Sequence, residues 1–454
     1  MKHRIFGGLI LTAGLTVTAM AQWSEPVNMS GSRDGTDPSL TIDSARTLHA
    51  AWSWQTFNPP LFDWIDYTCK SAGVDTWTLP VHASRDSYPL RVSVVVIGPG
   101  HVPHIVWQSE AEPGYIYITH RGGDTWTTPE RLTGWNGWGS GIRAATDRFG
   151  RIHTTWTDLT WDYLWYARYD ENGWAGPETV AFDTTPYALG ASDIVADRYG
   201  RPHLLFFWRD SLAYSVRTET GWTEPVFVPT LYEKPAISQI TLDTCGRPHV
   251  VCEESPYQIS HTYWTGDSWA TPVRLDSIKG FIPAICCDSW NRIHVVFSEE
   301  SLGVRERVFH EGRWVENALV DSWEGLEKEV VAERARLHLL WRKAYIGRVW
   351  YSWRPLEPPG ITGDDAGSGF EVVSLCPNPV VPSAEMAVWA PRCERVTVRV
   401  LDVTGRVVGS SQARATGAGE VRLRPYGLLP GAGVFYCRVE SGRRRMVVKL
   451  VRTE

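Results

Sequence analysis

Short apolar runs alternate along the chain with clusters of Gly, Asp, Asn, Ser and Pro, and after the first 21 residues no apolar stripe holds a helical period. This pattern predicts strands joined by tight turns. Between residues 189 and 228 the segments "SDIVAD", "PHLLFFW", "LAYSVRTE" and "GWTEPVFV" read as four strands, divided by turn residues such as "RYGR" and "ETG". The second of these is apolar on both faces, as expected for a sheet covered on both sides. Pro202 and Pro248 fall at strand starts, where a missing N–H does least harm.

The four-strand unit recurs. Aligning "GRPHLLFFW" with its equivalents gives His49, His104, His153, His203, His249, His294 and His338, spaced by 55, 49, 50, 46, 45 and 44 residues. A second series keeps the same beat: Trp23, Trp77, Trp126, Trp174, Trp222, Trp269 and Trp314. A period of about 40 to 50 residues with four short strands per unit is the signature of a β-propeller. The expected fold is all-β: a seven-bladed β-propeller over residues 22–354. The first tryptophan precedes the first histidine, and the last unit ends at "GRVWYSWR" without a fourth strand. An N-terminal strand from "QWSEPVNMS" is therefore expected to close the ring and remove its open edge.

Recurrence also sorts structure from function. An asymmetric catalytic site has no use for seven equivalent histidines, so these are expected to be buried, hydrogen-bonded parts of the scaffold. Asp43, Asp147, Asp197, Asp243 and Asp288 stand six residues before their histidines and read as turn-formers, and the repeated tryptophans read as core.

Composition narrows the partners. A formal charge of −6 over 454 residues offers no broad basic surface for nucleic acid or an anionic membrane. Residues 1–21 combine a basic start, an apolar run and the small-x-small triplet Ala19, Met20, Ala21, the pattern of a cleaved signal peptide. No later segment is long and apolar enough to span a membrane, so none is expected in the mature protein. The eight cysteines include no CxxC pair, which argues against structural zinc; Cys286 and Cys287 adjoin and cannot bridge to each other normally. Their pairing is not readable, and no metal or cofactor is expected.

The turns "THRGGDTW" and "WTGDSW" resemble the Asp-box units of sialidases and related propellers. Thr119, Gly123, Thr125 and Trp126 fit the box S-x-D-x-G-x-T-W, whereas Arg121 stands at the place of its aspartate. The resemblance implies the fold. The sialidase arginine triad and Tyr-Glu pair have no counterpart that can be placed, and Arg91 lacks the Arg-Ile-Pro order, so the chemistry is not carried over.

A Pro/Gly/Asp-rich linker at 355–369 leads to residues 370–454, whose alternating strands and turns at Gly405, Gly431 and Gly442 predict a small β-sandwich. This stretch resembles the C-terminal sorting domain of type IX secretion substrates. The matching residues are Pro377, Asn378 and Pro379; Asp402, Gly405 and Arg406; Leu429, Pro430, Gly431, Val434 and Tyr436; and Lys449. Cys376, Cys393, Cys437 and the "GAG" insertion depart from it. The resemblance implies export by the type IX machinery of a bacterium with an outer membrane, and a secreted or surface location.

Departures from the repeat mark where specificity sits. The loops joining each fourth strand to the next unit carry Tyr88, Trp135, Trp138, Tyr187, Tyr232, Phe281 and Trp323, with charges at Arg85, Asp86, Glu233, Lys234, Lys279 and Glu324. Such aromatics suit stacking on a sugar or binding a peptide. Trp135 and Trp138 are the foremost of these. Ten residues before the histidines, on the strand expected to line the channel, stand Ser39, Arg143, Asp193, Gln239, Ala284 and Lys328, with Ser93 as the counterpart in the second unit. Arg143 and Asp193 could pair with each other or hold a carboxylate and a hydroxyl. The expected function is glycan or peptide binding through the loop face by a monomer. The alternatives are a degenerate sialidase-like glycoside hydrolase, whose two carboxylates would sit on the channel floor, and a structural surface protein.

Overall fold

The computed structural model describes residues 22–452 except 56–62, 87–89, 110–114, 133–139, 159, 233, 311, 345, 357–370, 375–385, 390–394, 415–419 and 442–443. Among the described residues it is all-β apart from two short 3-10 turns, and the sheets are antiparallel.

Seven sheets follow one another along the chain. Sheet 1 contains Thr36–Ile42, Leu48–Gln55, Asp63–Lys70 and Val81–Asp86; sheet 2 runs from Leu90–Gly98 to Glu130–Arg131, and sheet 3 from Ser140–Thr146 to Gly173–Phe182. Sheet 4 spans Leu189–Ala196 to Val226–Val228, sheet 5 Pro235–Leu242 to Val273–Arg274, and sheet 6 Gly280–Cys287 to Arg313–Asp321. Sheet 7 holds Gly325–Ala332, Arg336–Lys343 and Val349–Pro355, and takes its outer strand, Val27–Asn28, from the other end of the chain. Val27 pairs with Tyr351 and Asn28 with Trp350, and Ser24 N–H donates to Trp353 O at 2.7 Å. The first strands of consecutive sheets lie against each other, and that of sheet 7 lies against that of sheet 1, so the cycle closes.

One repeated contact chain cements the sheets. His153 is buried, with Nε2 at 3.2 Å from Asp147 and Nδ1 at 2.7 Å from the Tyr166 hydroxyl. Those contacts select the neutral tautomer: Nε2–H donates to the carboxylate and Nδ1 accepts from the phenol. Burial, the largest effect, lowers its pKa. Trp222 of the next sheet then meets Tyr166 edge-on at 5.2 Å. The same order runs through His49, Tyr67 and Trp126; through His203, Tyr214 and Trp269; and through His338, Tyr351 and Trp77, the last joining sheet 7 to sheet 1. His249 uses His261 in place of tyrosine, and Trp314 meets it edge-on. The histidines and tryptophans are thus the mortar between sheets.

The aspartates do double duty in the hairpins. Asp147 Oδ1 accepts from the Phe149 and Arg151 N–H groups, while Oδ2 accepts from Arg151 Nε. Asp197, Asp243 and Asp288 repeat this geometry. In sheet 2 the position belongs to Gly98, because a Cβ there would lie 2.4 Å from the His104 ring; His104 turns instead to Val102 O.

The tail folds around its own core. A three-stranded and a four-stranded sheet enclose Val396, Val398, Val400, Leu423, Phe435, Cys437, Val439 and Leu450. Its hairpin at Asp402–Arg406 copies the hairpins above: Asp402 Oδ1 accepts from the Thr404 and Arg406 N–H groups, and Gly405 sits at φ +83°.

Candidate functional site

The inner strand of each sheet carries a β-bulge near its start. Beyond each bulge, the residue paired two positions after the aligned histidine defines one ring: Ser39, Val94, Arg143, Asp193, Gln239, Ala284 and Glu329. Side chains of this ring reach to the neighbouring inner strand and satisfy backbone donors that its edge leaves open. Ser39 Oγ accepts from Val95 N–H at 3.0 Å, Asp193 Oδ2 from Ile240 N–H at 2.9 Å, and Gln239 Oε1 from Ile285 N–H at 3.1 Å.

Two ring assignments differ from the sequence expectation. Val94, not Ser93, occupies the position in sheet 2; Ser93 is buried and accepts from the Ser53 hydroxyl. In sheet 7 the hairpin is one residue shorter, so Val331 faces His338 and the position falls to Glu329 rather than Lys328. A one-residue shift turns a strand side chain to the opposite face. Lys328 is buried, donating from Nζ to Ile282 O at 2.9 Å and Gly325 O at 2.6 Å, and its pKa is lowered to about 7 by burial.

Glu329 is the ring residue that sequence spacing missed; the shortened hairpin "ERARLH" was its signal. Among the described residues its carboxyl makes no hydrogen bond or ion pair. Burial first, and then the negative charge of Asp193, push its pKa up to about 8, while Arg143 opposes them. Asp193 rises to about 6 through burial, held back by the Ile240 N–H and by Arg143. Its other oxygen accepts from its own Ile194 N–H. Arg143 donates from Nη1 to Ile142 O at 2.8 Å. The ring therefore gathers Arg143, Asp193, Gln239 and Glu329, with two half-buried carboxyls whose pKa values are both raised. That combination can bind a polar ligand and can donate or accept a proton.

The 4-to-1 loops share one face with the hairpins between second and third strands, as shown by Asp183 N–H donating to Asp162 O and Leu189 N–H to Trp161 O. Tyr187 is 76% exposed, Tyr232 42% and Trp323 54%. Tyr232 N–H donates to the buried Glu254 carboxylate and Trp323 N–H to Asp321 Oδ1 at 3.1 Å, while beside Tyr187 the loop is held by Thr185 N–H to Asp183 Oδ1 at 2.9 Å and Ala188 N–H to Thr185 O at 3.0 Å. Phe281 is half-buried. Tyr88, Trp135, Trp138 and Glu233 lie outside the described residues, as do the side chains of Arg85 and Asp86. The hairpins add Trp161, edge-on to Tyr187 at 6.1 Å, and Tyr257, which is exposed; neither belongs to the loops singled out from the sequence.

Of the residues that match the sorting-domain pattern in sequence, Gly405 and Arg406 sit in the Asp402 hairpin, Gly431 precedes the strand Gly433–Ser441, and Tyr436 on that strand pairs with Lys449. Residues 1–21, Pro377, Asn378 and Pro379 lie outside the described residues. No helix among the described residues is long and apolar enough to cross a membrane.

No protein-family model and no curated protein matches the chain. Solved structures of similar build include PorZ, described as an essential bacterial surface component of the type IX secretion system of Porphyromonas gingivalis, at 11% identity and a TM-score of 0.49. That match covers 94% of this chain and 60% of PorZ, so the chain spans less than two thirds of its length. The intramolecular trans-sialidase of Ruminococcus gnavus matches at 12% identity and a TM-score of 0.43, over 74% of this chain and 97% of that one. AofleA of Arthrobotrys oligospora matches at 9% and 0.42, over 81% and 90%. These likenesses assign neither an activity nor a ligand to this chain.

Proposed function

We propose that the protein is a secreted or cell-surface β-propeller, with residues 22–354 as its seven blades and residues 370–454 as a type IX sorting module. Its loop-bearing face binds a glycan or a peptide. The observation that carries this reading is the set of exposed rings, Tyr187, Tyr232 and Trp323, on loops whose backbones are held in place. Pinning the loops lowers the entropy lost when a ligand stacks on them. The polar ring of Arg143, Asp193 and Gln239 supplies directional hydrogen bonds beneath the aromatics.

Screening the full chain against immobilised glycans and peptides tests the reading. Binding should weaken at least about tenfold on replacing Tyr187, Trp135 or Trp138 by alanine, the scale of an aromatic anchor. Unchanged binding in all three variants would sink the loop-face site.

A second reading rests on Glu329 and Asp193. Both carboxyls are on the inner-strand ring, the charge of Asp193 acts on Glu329, and a carboxyl with a raised pKa acting with a second carboxyl is what a glycoside hydrolase uses as acid and base. Turnover of fluorogenic glycosides that vanishes in both Glu329→Gln and Asp193→Asn would establish it; absence of turnover by the wild type across a broad panel would dismiss it.

A further inference from the structure

Backbone hydrogen bonds align one position across five sheets. Thr78 N–H donates to Cys69 O, Thr127 N–H to His120 O, Thr223 N–H to Val216 O, and Ser24 N–H to Trp353 O. The residues that follow these acceptors are the cations Lys70, Arg121, Arg217 and Arg354; in the remaining sheet the same bond, Ala270 N–H to Tyr263 O, is followed by Trp264. Each cation lies at the seam with the preceding sheet: Lys70 over the Tyr351 ring, Arg121 over Tyr67 and Arg217 over Tyr166, at 5.3, 5.6 and 5.8 Å.

Two of these cations have a carboxylate on the preceding sheet. Arg217 makes a bidentate pair with Glu178 at 2.5 and 3.0 Å, and Arg354 one with Glu306 at 2.7 and 2.7 Å. Lys70 has none. It is only 5% exposed, and among the described residues its ammonium makes no hydrogen bond and no ion pair. Burial and the charge of Arg336 lower its pKa, opposed by Asp75 and Glu333. Those carboxylates are engaged elsewhere: Asp75 is largely exposed and 3.8 Å from Arg336, and Glu333 is 3.3 Å from His338 Nε2.

A groove lies beside Lys70, between the outer strand of sheet 7 and sheet 1. It has a volume of about 650 Å³, is walled by Trp77, Tyr351 and Trp353, and is lined by Lys70, with Glu25 and Asp75 also contributing. Arg336 covers one face of Trp353 at 4.2 Å. A volume of this order suits one or two sugar rings, and aromatic walls suit the C–H face of a pyranose. Asp75 and Glu333 act on this ammonium without an ion-pair contact among the described residues, and a largely buried ammonium that lacks such a contact can take an anion.

We propose that this groove, at the junction of sheet 7 with sheet 1, binds an acidic sugar, whose carboxylate pairs with Lys70 as Glu178 and Glu306 pair with Arg217 and Arg354. The site is separate from the loop face and stands or falls independently of it.

Calorimetric or saturation-transfer titration of the full chain with D-glucuronate, D-glucose, acetate and inorganic phosphate tests the proposal. Glucuronate should bind at least about tenfold more tightly than the other three, the scale of one charge-assisted contact joined to ring stacking. Lys70→Met should remove that preference and Lys70→Arg should retain it, while Trp135→Ala should leave it intact. Glucose, acetate or phosphate binding as tightly as glucuronate would overturn the assignment, as would no glucuronate binding or full binding by Lys70→Met. The wild-type comparison decides the matter even if Lys70→Met fails to fold.

Discussion

Replacing Glu306 by glutamine keeps the shape of the side chain and removes its charge. In the native protein this carboxylate is fully buried and is the hub between sheets 6 and 7. It accepts from Arg354 Nε and Nη2 at 2.7 Å each, from His294 Nδ1 at 2.8 Å and from Trp23 Nε1 at 3.0 Å. The other nitrogen of His294 faces Asp288 at 3.1 Å, so both ring nitrogens donate and the imidazole is charged; the two carboxylates raise its pKa against the burial that would lower it. The same partners outweigh desolvation at Glu306 and lower its pKa from 4.5 to about 2, equivalent to about 3 kcal/mol. Breaking a buried ion pair from one side costs about 3 to 5 kcal/mol. With an unfolding entropy of about 2.1 cal/mol/K per residue over about 330 residues, the midpoint should fall by roughly 4 to 7 °C.

Calorimetry at pH 7 measures this, with Glu178→Gln as the comparison. The Arg217–Glu178 pair has the same geometry, but its side chains are 30% and 35% exposed, so its loss should cost about 1 kcal/mol or less. The pH dependence supplies a second check. Glu306 is held below its ordinary pKa, so its contribution is complete above about pH 5 and fades as pH falls toward 2. His294 is raised, so its contribution is complete below about pH 6.5 and fades as pH rises through its folded value. The gap between wild type and Glu306→Gln should therefore narrow as the solution is acidified below pH 5. Equal midpoints for the two variants at pH 7, or a gap that does not narrow, would refute this account of the hub.

Other expectations follow from neighbouring geometry. Gly200 and Gly246 occupy the same hairpin position at φ +77° and +82°, but a Cβ at Gly200 would lie 2.2 Å from Arg151 Nη2 and 2.7 Å from Asp147 Oδ2, whereas at Gly246 it meets nothing within 4 Å. Gly200→Ala should cost about 2 to 3 kcal/mol in urea unfolding and Gly246→Ala about 1 kcal/mol; equal costs would contradict the clash. Glu329 has a raised pKa, so wild type should lose stability as pH climbs from about 5 through 8, and Glu329→Gln should not. Parallel melting curves for the two across that range would remove the carboxyl from the channel. Asp193→Asn should lower the pKa of Glu329, readable by carboxyl carbon NMR, because the Asp193 charge is one of the two effects that raise it.

The repeated parts were legible from spacing alone. A histidine and a tryptophan on the same beat recur at every sheet, and in five of the seven an aspartate stands six residues before the histidine. Asp147 serving Phe149, Arg151 and His153 spans only six positions, so the motif is visible within a window that short. The inner-strand ring could not be placed in register from spacing: it needed the pairing partner of each residue, and one shortened hairpin moved the position from Lys328 to Glu329.

Contacts between sheets were beyond the sequence. Trp23 and Glu306 stand 283 positions apart, and nothing in either neighbourhood marks them as partners. Lys70 looks like any strand lysine until the cycle brings sheet 1 against sheet 7 and shows that its counterparts Arg217 and Arg354 have carboxylates while it has none. Local spacing sets which side chains each strand offers; only closing the cycle brings the first sheet against the last, and burial there determines which charges are left without a partner.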